Sequence, residues 1–273
     1  MKLAIFDNNF INKDTEKLPF NERADIIKSF GFSGMHWSYP DPLNEYKECY
    51  GPAGFTAASI DVLARITSAD DGVFNKAMEV IYKSLAYAKE IGCTDAMIVP
   101  CYVEDIDGEE DLPRARERMI EGLKLAVREA KKYGVRVSIE NFSTPKLPFS
   151  YVKDIRYILD SVDGLYFTFD TGNFVCVGED GVEAYKALKD RIVLMHLKEF
   201  GEVDGPGDRV IFRRCDNKYL YGKKFGEGLS KMDEILAMAS KDFPDIWYEV
   251  EHHYFELGCD DVKEIANFVQ SKF

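Results

Sequence analysis

The amino-acid sequence predicts an α/β fold, a single-domain (β/α)8 TIM barrel that takes up residues 1–273. Short apolar segments recur along the chain, and each is followed by a longer segment of helical periodicity, which is the pattern of βα units in a parallel sheet. Eight such segments are present, and the chain length suits one barrel of roughly 250 residues. The predicted strands are 3–6, 34–37, 56–60, 96–99, 135–140, 166–170, 192–197 and 246–251.

Helix boundary signals lie between these strands. Asn21 is of a residue type that caps helix N-termini, and glycine adopts the left-handed conformation that commonly ends a helix. Apolar residues at helical spacing precede three glycines, and the C-terminal segment has the periodicity of a closing helix. The predicted helix ends are Gly31, Gly92 and Gly134, and the predicted closing helix is 261–273.

Composition and charge argue against several classes of protein. The net charge of −13 and the pI of about 4.9 make the surface repel phosphate backbones and anionic lipids, so neither nucleic acid nor a membrane is expected as a partner. The N-terminal residues lack the long apolar run of a signal peptide or membrane span, and we expect a cytoplasmic protein. Six cysteines without a CxxC pair are expected to be free thiols, with Cys93 and Cys101 packed in the core.

Four consecutive predicted strands end their inward face with a side chain that binds metals well. Side chains alternate between the two faces of a strand, so the apolar residues that face the helices leave their neighbours facing the barrel. The carboxyl ends of barrel strands meet at one mouth, where active sites of TIM barrels lie. The predicted cluster there consists of Glu140, Asp170, His196 and Glu251.

One divalent cation explains this cluster better than salt bridges do. Burial of three carboxylates together raises their pKa values, and a divalent cation removes that cost. The alternative is that the carboxylates pair with basic residues such as Arg136 or Lys198. The repetition on four adjacent strands favours the metal. Three carboxylates and one imidazole suit Mn²⁺, Mg²⁺ or Co²⁺, and Zn²⁺ is also possible.

Four short motifs follow one another in the second half of the chain. They are Ile139-Glu140-Asn141, Asp170-Thr171-Gly172-Asn173, His196-Leu197-Lys198-Glu199 and, before the last helix, Gly226-Glu227-Gly228. In this order the sequence resembles the xylose isomerase-like TIM barrels, a superfamily of sugar phosphate isomerases and epimerases that includes the ketohexose 3-epimerases. The Trp-Tyr-x-x-Glu pattern of that family implies Glu251 as the last ligand. It leaves Glu249 as a buried partner of a cation such as Arg136.

The resemblance implies a metal-dependent isomerase or epimerase that acts on a small sugar or sugar phosphate through an enediolate. Glu140 and Glu251 would be both metal ligands and proton-transfer groups, with two acting bases giving epimerisation and a single base giving isomerisation. A dehydratase of the inosose dehydratase type and a non-catalytic sugar-binding barrel remain as alternatives. An abasic-site endonuclease is disfavoured because the chain has only four histidines.

Analogy with other barrels leads us to expect a homo-oligomer, a dimer or tetramer.

Several predicted substrate contacts depart from the family pattern. Asn173 stands where the family commonly has His, so hydrogen bonding is kept while proton exchange at that position is lost. His36 occupies a strand-two position often filled by Glu, and it is either a substrate contact or a packed core histidine. Lys198 of the third motif is a further predicted substrate contact.

The segment 201–225 is longer than in the simplest family members and has a local excess of positive charge. Arg213 and Arg214 within it are predicted to clamp an anionic group of the substrate, because phosphate sites in barrels favour the loops after strands seven and eight. The alternative is a solvated hairpin that turns at Asp216-Asn217.

Overall fold

Eight parallel strands close into a barrel in the computed structural model of the protein, which describes residues 1–39, 46–101, 103–106, 108–207, 210, 212–253 and 257–273. Helices connect the strands, as in successive βα units, and the predicted (β/α)8 barrel is confirmed. Among the described residues, no helix is long and apolar enough to cross a bilayer.

The strands form two sheets. The barrel strands are β1 (Lys2–Ile5), β2 (Gly34–Tyr39), β3 (Thr56–Leu63), β4 (Asp95–Val99), β5 (Arg136–Glu140), β6 (Leu165–Asp170), β7 (Ile192–Leu197) and β11 (Trp247–Val250). Around the barrel they follow the order β1-β11-β7-β6-β5-β4-β3-β2. A separate antiparallel sheet, in the order β8-β10-β9, consists of β8 (Phe200–Val203), β9 (Phe212–Arg213) and β10 (Tyr219–Gly222).

The α-helices pack their apolar faces on the barrel. They are α1 (Asp7–Phe10), α2 (Phe20–Ser29), α3 (Asp71–Glu90), α4 (Leu112–Ala130), α5 (Val152–Ser161), α6 (Asn173–Cys176), α7 (Gly181–Leu188), α8 (Met232–Asp242) and α9 (Cys259–Gln270). Short helical turns occur at Tyr46–Tyr50, Val103–Asp105, Glu109–Asp111 and Lys189–Arg191.

Each predicted strand overlaps an observed one, and the predicted helix ends at Gly31, Gly92 and Gly134 are confirmed, with φ values of 95°, 74° and 70°. The predicted cap Asn21 is wrong. The helix begins at Phe20 with Pro19 at the capping position, because the fixed φ of proline is compatible with an extended residue before the first turn.

Two further predictions concern the end of the chain. The closing helix spans Cys259–Gln270 rather than 261–273. The Gly226-Glu227-Gly228 motif precedes α8, the penultimate helix, and not the last one as predicted.

All six cysteines are free thiols as predicted, and Cys93 and Cys101 are buried.

The amino-terminal end of the barrel is closed by a large ring and a charged pair. Trp247 lies over Gly34, where a Cβ atom would come within 2.6 Å of the indole ring. Arg136 donates two hydrogen bonds of 2.8 Å to the buried carboxylate of Asp95. The prediction that Arg136 is the partner of Glu249 is therefore wrong, since the adjacent strand supplies an acceptor closer to the start of β5.

We expect Gly34→Ala to lower the free energy of unfolding by about 1–3 kcal/mol, because the added methyl group overpacks against the Trp247 ring. Urea denaturation measures the loss. In a double-mutant cycle, Trp247→Phe removes the two ring atoms nearest the new methyl group, so Gly34→Ala should cost less in that background. An equal cost in both backgrounds would contradict this packing.

Candidate metal centre

The four predicted ligands come together at the carboxyl end of the barrel. Glu140 ends β5, Asp170 ends β6, His196 lies near the end of β7 and Glu251 directly follows β11. Each side chain offers one donor atom, and these four atoms all lie within 4.8 Å of one another. The predicted convergence of four strand ends is therefore present, with three of the residues buried and Glu251 partly buried.

Asp170 is oriented by the turn that follows its strand. Its Oδ1 atom accepts hydrogen bonds from the backbone N–H groups of Gly172 at 2.8 Å and Asn173 at 2.7 Å. Its Oδ2 atom, although buried, accepts no hydrogen bond from the described residues and lies in an ion pair 3.0 Å from Lys198 Nζ. Asp170 thus keeps one oxygen available on the side of the cluster.

Two other motif residues hold the strand ends in register. The Asn141 side chain accepts a hydrogen bond from the Asp170 N–H at 3.0 Å and donates one to the Asp170 carbonyl at 3.1 Å. The Thr171 hydroxyl donates to the Lys198 carbonyl at 2.8 Å and accepts from the Lys198 N–H at 2.9 Å. These contacts link β5 to β6 and β6 to β7, so that the relative positions of the donor atoms are fixed.

His196 lies between carboxylates on both sides of its ring. Its Nδ1 atom is 2.6 Å from Glu140 Oε1 and 3.5 Å from Glu251 Oε2, within the cluster. Its Nε2 atom is 3.0 Å from Glu249 Oε2 on the opposite side. Glu249 is completely buried, and its contact here is with a histidine and not with the predicted arginine.

Lys198 is buried beside the cluster. Its ammonium group lies 3.0 Å from Asp170 and 2.8 Å from Glu251. Of the two basic residues considered as alternative partners for the carboxylates, Lys198 makes such contacts and Arg136 does not. Burial disfavours the charged form of Glu251, but the Lys198 ammonium and His253 keep the pKa of this carboxyl below its usual range.

Negative charge exceeds positive charge around the cluster. Burial raises the pKa of Asp170 to about 7, although the Lys198 ammonium favours its ionised form. Five carboxylates contact one lysine and the imidazoles of three histidines, His36, His196 and His253. Carboxylates therefore outnumber the basic groups, and the donor set fits a divalent cation held by Glu140, Asp170, His196 and Glu251. The contacting carboxylates are Asp61, Glu140, Asp170, Glu249 and Glu251.

A cavity of about 420 Å³ opens above the cluster, which is enough for a small organic ligand. One side is polar and contains both Glu140 and Glu251 together with Lys198. The other side is apolar, and its larger side chains are Leu63, Met97, Val99, Phe142 and Phe212.

Asn173 lines this cavity with an acceptor that the protein does not use. Its Nδ2 atom donates to the Asn141 carbonyl at 2.8 Å. Its Oδ1 atom is buried and has no hydrogen-bond partner among the described residues. An unpaired buried acceptor is costly, so a ligand hydroxyl is a suitable partner for it.

Three predicted substrate contacts lie elsewhere. His36 is fully buried and its nitrogens face Asp61 and Glu249, so the core-histidine alternative describes it better than a direct substrate contact. Arg213 and Arg214 lie in the alternative hairpin and are not among the described residues that line the cavity, whereas the neighbouring Phe212 is. Arg214 pairs with Asp216 and Glu202, and Arg213 lies 5.7 Å from the ring centre of Tyr219. The turn at Asp216-Asn217 is confirmed, with φ of 68° at Asn217.

Sequence reasoning missed Asp61, which lines the cavity and contacts His36. The predicted third strand stopped at residue 60, whereas β3 continues to Leu63. Alternation along the longer strand, with Ile60 and Val62 fully buried, would have placed Ser59 and Asp61 on the inward face.

Comparisons with known proteins agree with this architecture. The family model described as xylose isomerase-like TIM barrel matches residues 24–271. A comparison with curated protein sequences found no significant match. Solved structures match over nearly the whole chain at low sequence identity, and therefore support the fold alone.

Three such structures illustrate the range of similar proteins. A xylose isomerase-like TIM barrel protein from Mycobacterium smegmatis in complex with magnesium has a TM-score of 0.72 and 15% identity, covering 99% of this chain and 96% of that one. D-allulose 3-epimerase from Methylomonas sp. has a TM-score of 0.74 and 13% identity, covering 100% and 98%. AsbF from Bacillus anthracis, described as a probable 3-DHS dehydratase involved in petrobactin synthesis, has a TM-score of 0.75 and 16% identity, covering 99% of each chain.

Metal affinity should rise with pH between about 5.5 and 7.5. Burial raises the pKa of Asp170 to about 7, and contacts with Glu140 and Glu249 raise the pKa of His196 despite its burial. Both groups must lose a proton before they bind a cation, so protons compete with the metal at low pH and affinity falls as pH falls. Titration with Mn²⁺ should show at least roughly tenfold weaker binding at the lower pH. Equal dissociation constants at both pH values would contradict this assignment.

Proposed function

The chain belongs to the xylose isomerase-like TIM barrel family, and from this membership and the geometry of the site we propose that it is a metal-dependent isomerase or epimerase of a small sugar. The observation that carries the proposal is the convergence of Glu140, Asp170, His196 and Glu251, two of which, Glu140 and Glu251, line a cavity. The reaction is proton abstraction next to a carbonyl, with an enediolate as intermediate.

The donor set suits one oxygen-preferring divalent ion, with Mn²⁺, Mg²⁺ or Co²⁺ favoured and Zn²⁺ possible. When bound, such an ion supplies positive charge that stabilises the negative charge of the enediolate. The magnesium complex of the Mycobacterium smegmatis protein supports this choice.

Two carboxylates that line the cavity are placed to move the proton. Glu251 lines the cavity and is ionised beside the Lys198 ammonium, and the ionised carboxylate is the form that can accept a proton from a substrate carbon. Glu140 lines the same cavity, and its Oε1 atom lies 2.6 Å from His196 Nδ1. Glu140 is the second proton-transfer group. Proton transfer by both residues on opposite faces of one carbon gives epimerisation, and transfer by a single residue between two carbons gives isomerisation.

Other side chains of the cavity hold and orient the sugar. The free Oδ1 atom of Asn173 accepts a hydrogen bond from a hydroxyl group. The Lys198 ammonium donates to a carbonyl or hydroxyl oxygen near Asp170 and Glu251. The apolar side of the cavity packs against C–H groups of the sugar and excludes water from the reacting carbon.

Dehydration is the second candidate reaction, because a structural neighbour of equal similarity is described as a probable dehydratase. The same base would remove the proton, and a β-hydroxyl group would then leave as water. Lys198, a buried cation in the cavity, is the group able to protonate that leaving oxygen. A non-catalytic sugar-binding barrel would bind the same ligand without releasing a new compound.

We expect Glu140→Gln and Glu251→Gln each to lower turnover by about 10²–10⁴-fold, because each removes a proton-transfer group, and to weaken metal binding. The Mn²⁺-loaded protein is incubated in D₂O with a panel of ketopentoses, ketohexoses and inosose, and products are analysed by mass spectrometry. Deuterium on a carbon of an isomeric sugar marks isomerisation or epimerisation, and loss of water marks dehydration.

Glu202→Gln is the matched control, since Glu202 pairs with Arg214 in the separate sheet, outside the cavity. It should leave turnover unchanged. Near-normal turnover in either active-site variant would contradict the acid–base assignment. Sugar binding without any product, in the metal-loaded wild-type protein, would favour the non-catalytic alternative.

A further inference from the structure

A buried chain of polar side chains lies beneath the four-donor cluster and ends on its histidine. It starts at Asp61, whose Oδ2 atom is 3.0 Å from His36 Nε2. His36 Nδ1 is 2.9 Å from Glu249 Oε2, and the same oxygen is 3.0 Å from His196 Nε2. The chain therefore connects a residue of the cavity wall with the nitrogen of His196 that faces away from the cluster.

This chain of polar side chains is buried from solvent. The side chains of His36 and Glu249 have no exposed surface, and that of His196 has 1%. The Ser59 hydroxyl lies within hydrogen-bonding distance of His36 and also donates to Glu249 Oε2 at 2.9 Å. The Ser59 hydroxyl and one nitrogen of each imidazole thus lie within hydrogen-bonding distance of one carboxylate oxygen. Packing alone does not account for this arrangement, because apolar residues of similar volume would avoid the cost of burying charged groups.

Phe6 fixes the planes of both imidazole rings. Its ring stacks on His36, with centroids 3.7 Å apart and an angle of 7° between the planes. It meets His196 edge-on, at 5.0 Å and 87°. The His36 and His196 rings are in turn perpendicular to each other, at 5.2 Å and 88°. Neither histidine has room to rotate, so each ring nitrogen keeps its partner.

The donors of His36, His196 and Glu249 also lie within 4.8 Å of one another, a spacing compatible with a second metal ion. The hydrogen bonds argue against that occupancy. Glu249 Oε2 accepts from Ser59 and lies 2.9 Å and 3.0 Å from one nitrogen of each imidazole, so this oxygen already has three hydrogen-bonding neighbours, while Oε1 has no hydrogen-bond partner among the described residues. The chain of buried polar side chains orients one metal ligand and is not itself a metal site.

We propose that Glu249 and His36 are positioning residues that fix the tautomer of His196, so that Nε2–H donates to Glu249 and Nδ1 is left to bind the metal. This inference rests on the proposed metal centre. A carboxylate on the far nitrogen of a metal-binding histidine orients the ring and increases its basicity, and its loss typically weakens binding 10–100-fold. His36 and Ser59 hold that carboxylate in place, and Asp61 holds His36.

The test compares Mn²⁺ binding by wild-type protein and Glu249→Gln in calorimetric titration. Glutamine keeps one acceptor oxygen for the Oε2 position but loses the negative charge that increases the basicity of the imidazole, so the dissociation constant should rise about 10–100-fold. Asp95→Asn is the matched control, because Asp95 is also a buried, charge-paired carboxylate but lies at the other end of the barrel. It should lower the melting temperature and leave Mn²⁺ affinity within about twofold, as expected for distant sites.

Ser59→Ala provides a milder variant if Glu249→Gln does not fold. It removes one of the three donors to Glu249 and should weaken Mn²⁺ binding about two- to tenfold. A second readout is ¹⁵N NMR of histidine-labelled protein loaded with diamagnetic Zn²⁺. In the wild-type protein the His196 proton should reside on Nε2, and in the Glu249 variant this signature should be lost.

The outcomes separate the two proposals. A wild-type protein that binds no Mn²⁺ removes the metal centre and this inference with it. A wild-type protein that binds one ion, with equal affinity in Glu249→Gln and Ser59→Ala, overturns the positioning role while the metal centre stands. Two ions per chain, or a His196 proton on Nδ1, would also overturn it.

Discussion

The structure depends on the meeting of several ionisable side chains at the carboxyl end of one barrel. Parallel strands in a closed sheet bring their ends to a single mouth, so Glu140, Asp170 and His196 become neighbours although the chain separates them widely. Carboxylates placed this close in a buried site repel one another and lose hydration. Three neighbouring side chains, those of Lys198, Asn141 and Thr171, balance that charge or hold the strand ends in position.

Different residues perform these two tasks. Lys198 balances part of the negative charge by its contacts with Asp170 and Glu251. The remaining negative charge of the donor set suits a divalent cation. Asn141 and Thr171 hold position by bonding to the backbone of neighbouring strand ends. Family motifs therefore contain two kinds of residue, one that faces the ligand and one that maintains the strand register behind it.

The loop between β10 and α8 is held in a similar way by a residue of the third motif. Glu199 is buried and accepts hydrogen bonds from the backbone N–H groups of Gly226 at 3.2 Å and Ser230 at 2.9 Å. A Cβ atom on Gly228 would lie 2.4 Å from the same carboxylate, so glycine is required at that position. This carboxylate ties the motif before α8 to the end of β7, and it explains why the two motifs occur together.

Periodicity in the sequence was sufficient to predict the eight strands and the inward-facing residues of the cluster, while the choice of Glu251 over Glu249 came from the family pattern. Both depend on local alternation between the faces of a strand, which a single segment already contains. The chain through His36 and Glu249 could not be predicted in this way, because the two residues are 213 positions apart and meet only across the closed barrel. The position of Arg213 and Arg214 outside the cavity lining could not be predicted for a related reason, because local charge does not reveal that Asp216 and Glu202 pair with Arg214.

The four-donor metal site is tested by a crystal structure of the protein grown with Mn²⁺, with anomalous scattering recorded at the manganese edge. We expect one strong peak about 2.0–2.2 Å from a donor atom of each of Glu140, Asp170, His196 and Glu251. We also expect the Lys198 ammonium to move from its place between Asp170 and Glu251. A map without that peak, in which Lys198 still bridges the two carboxylates, would contradict it.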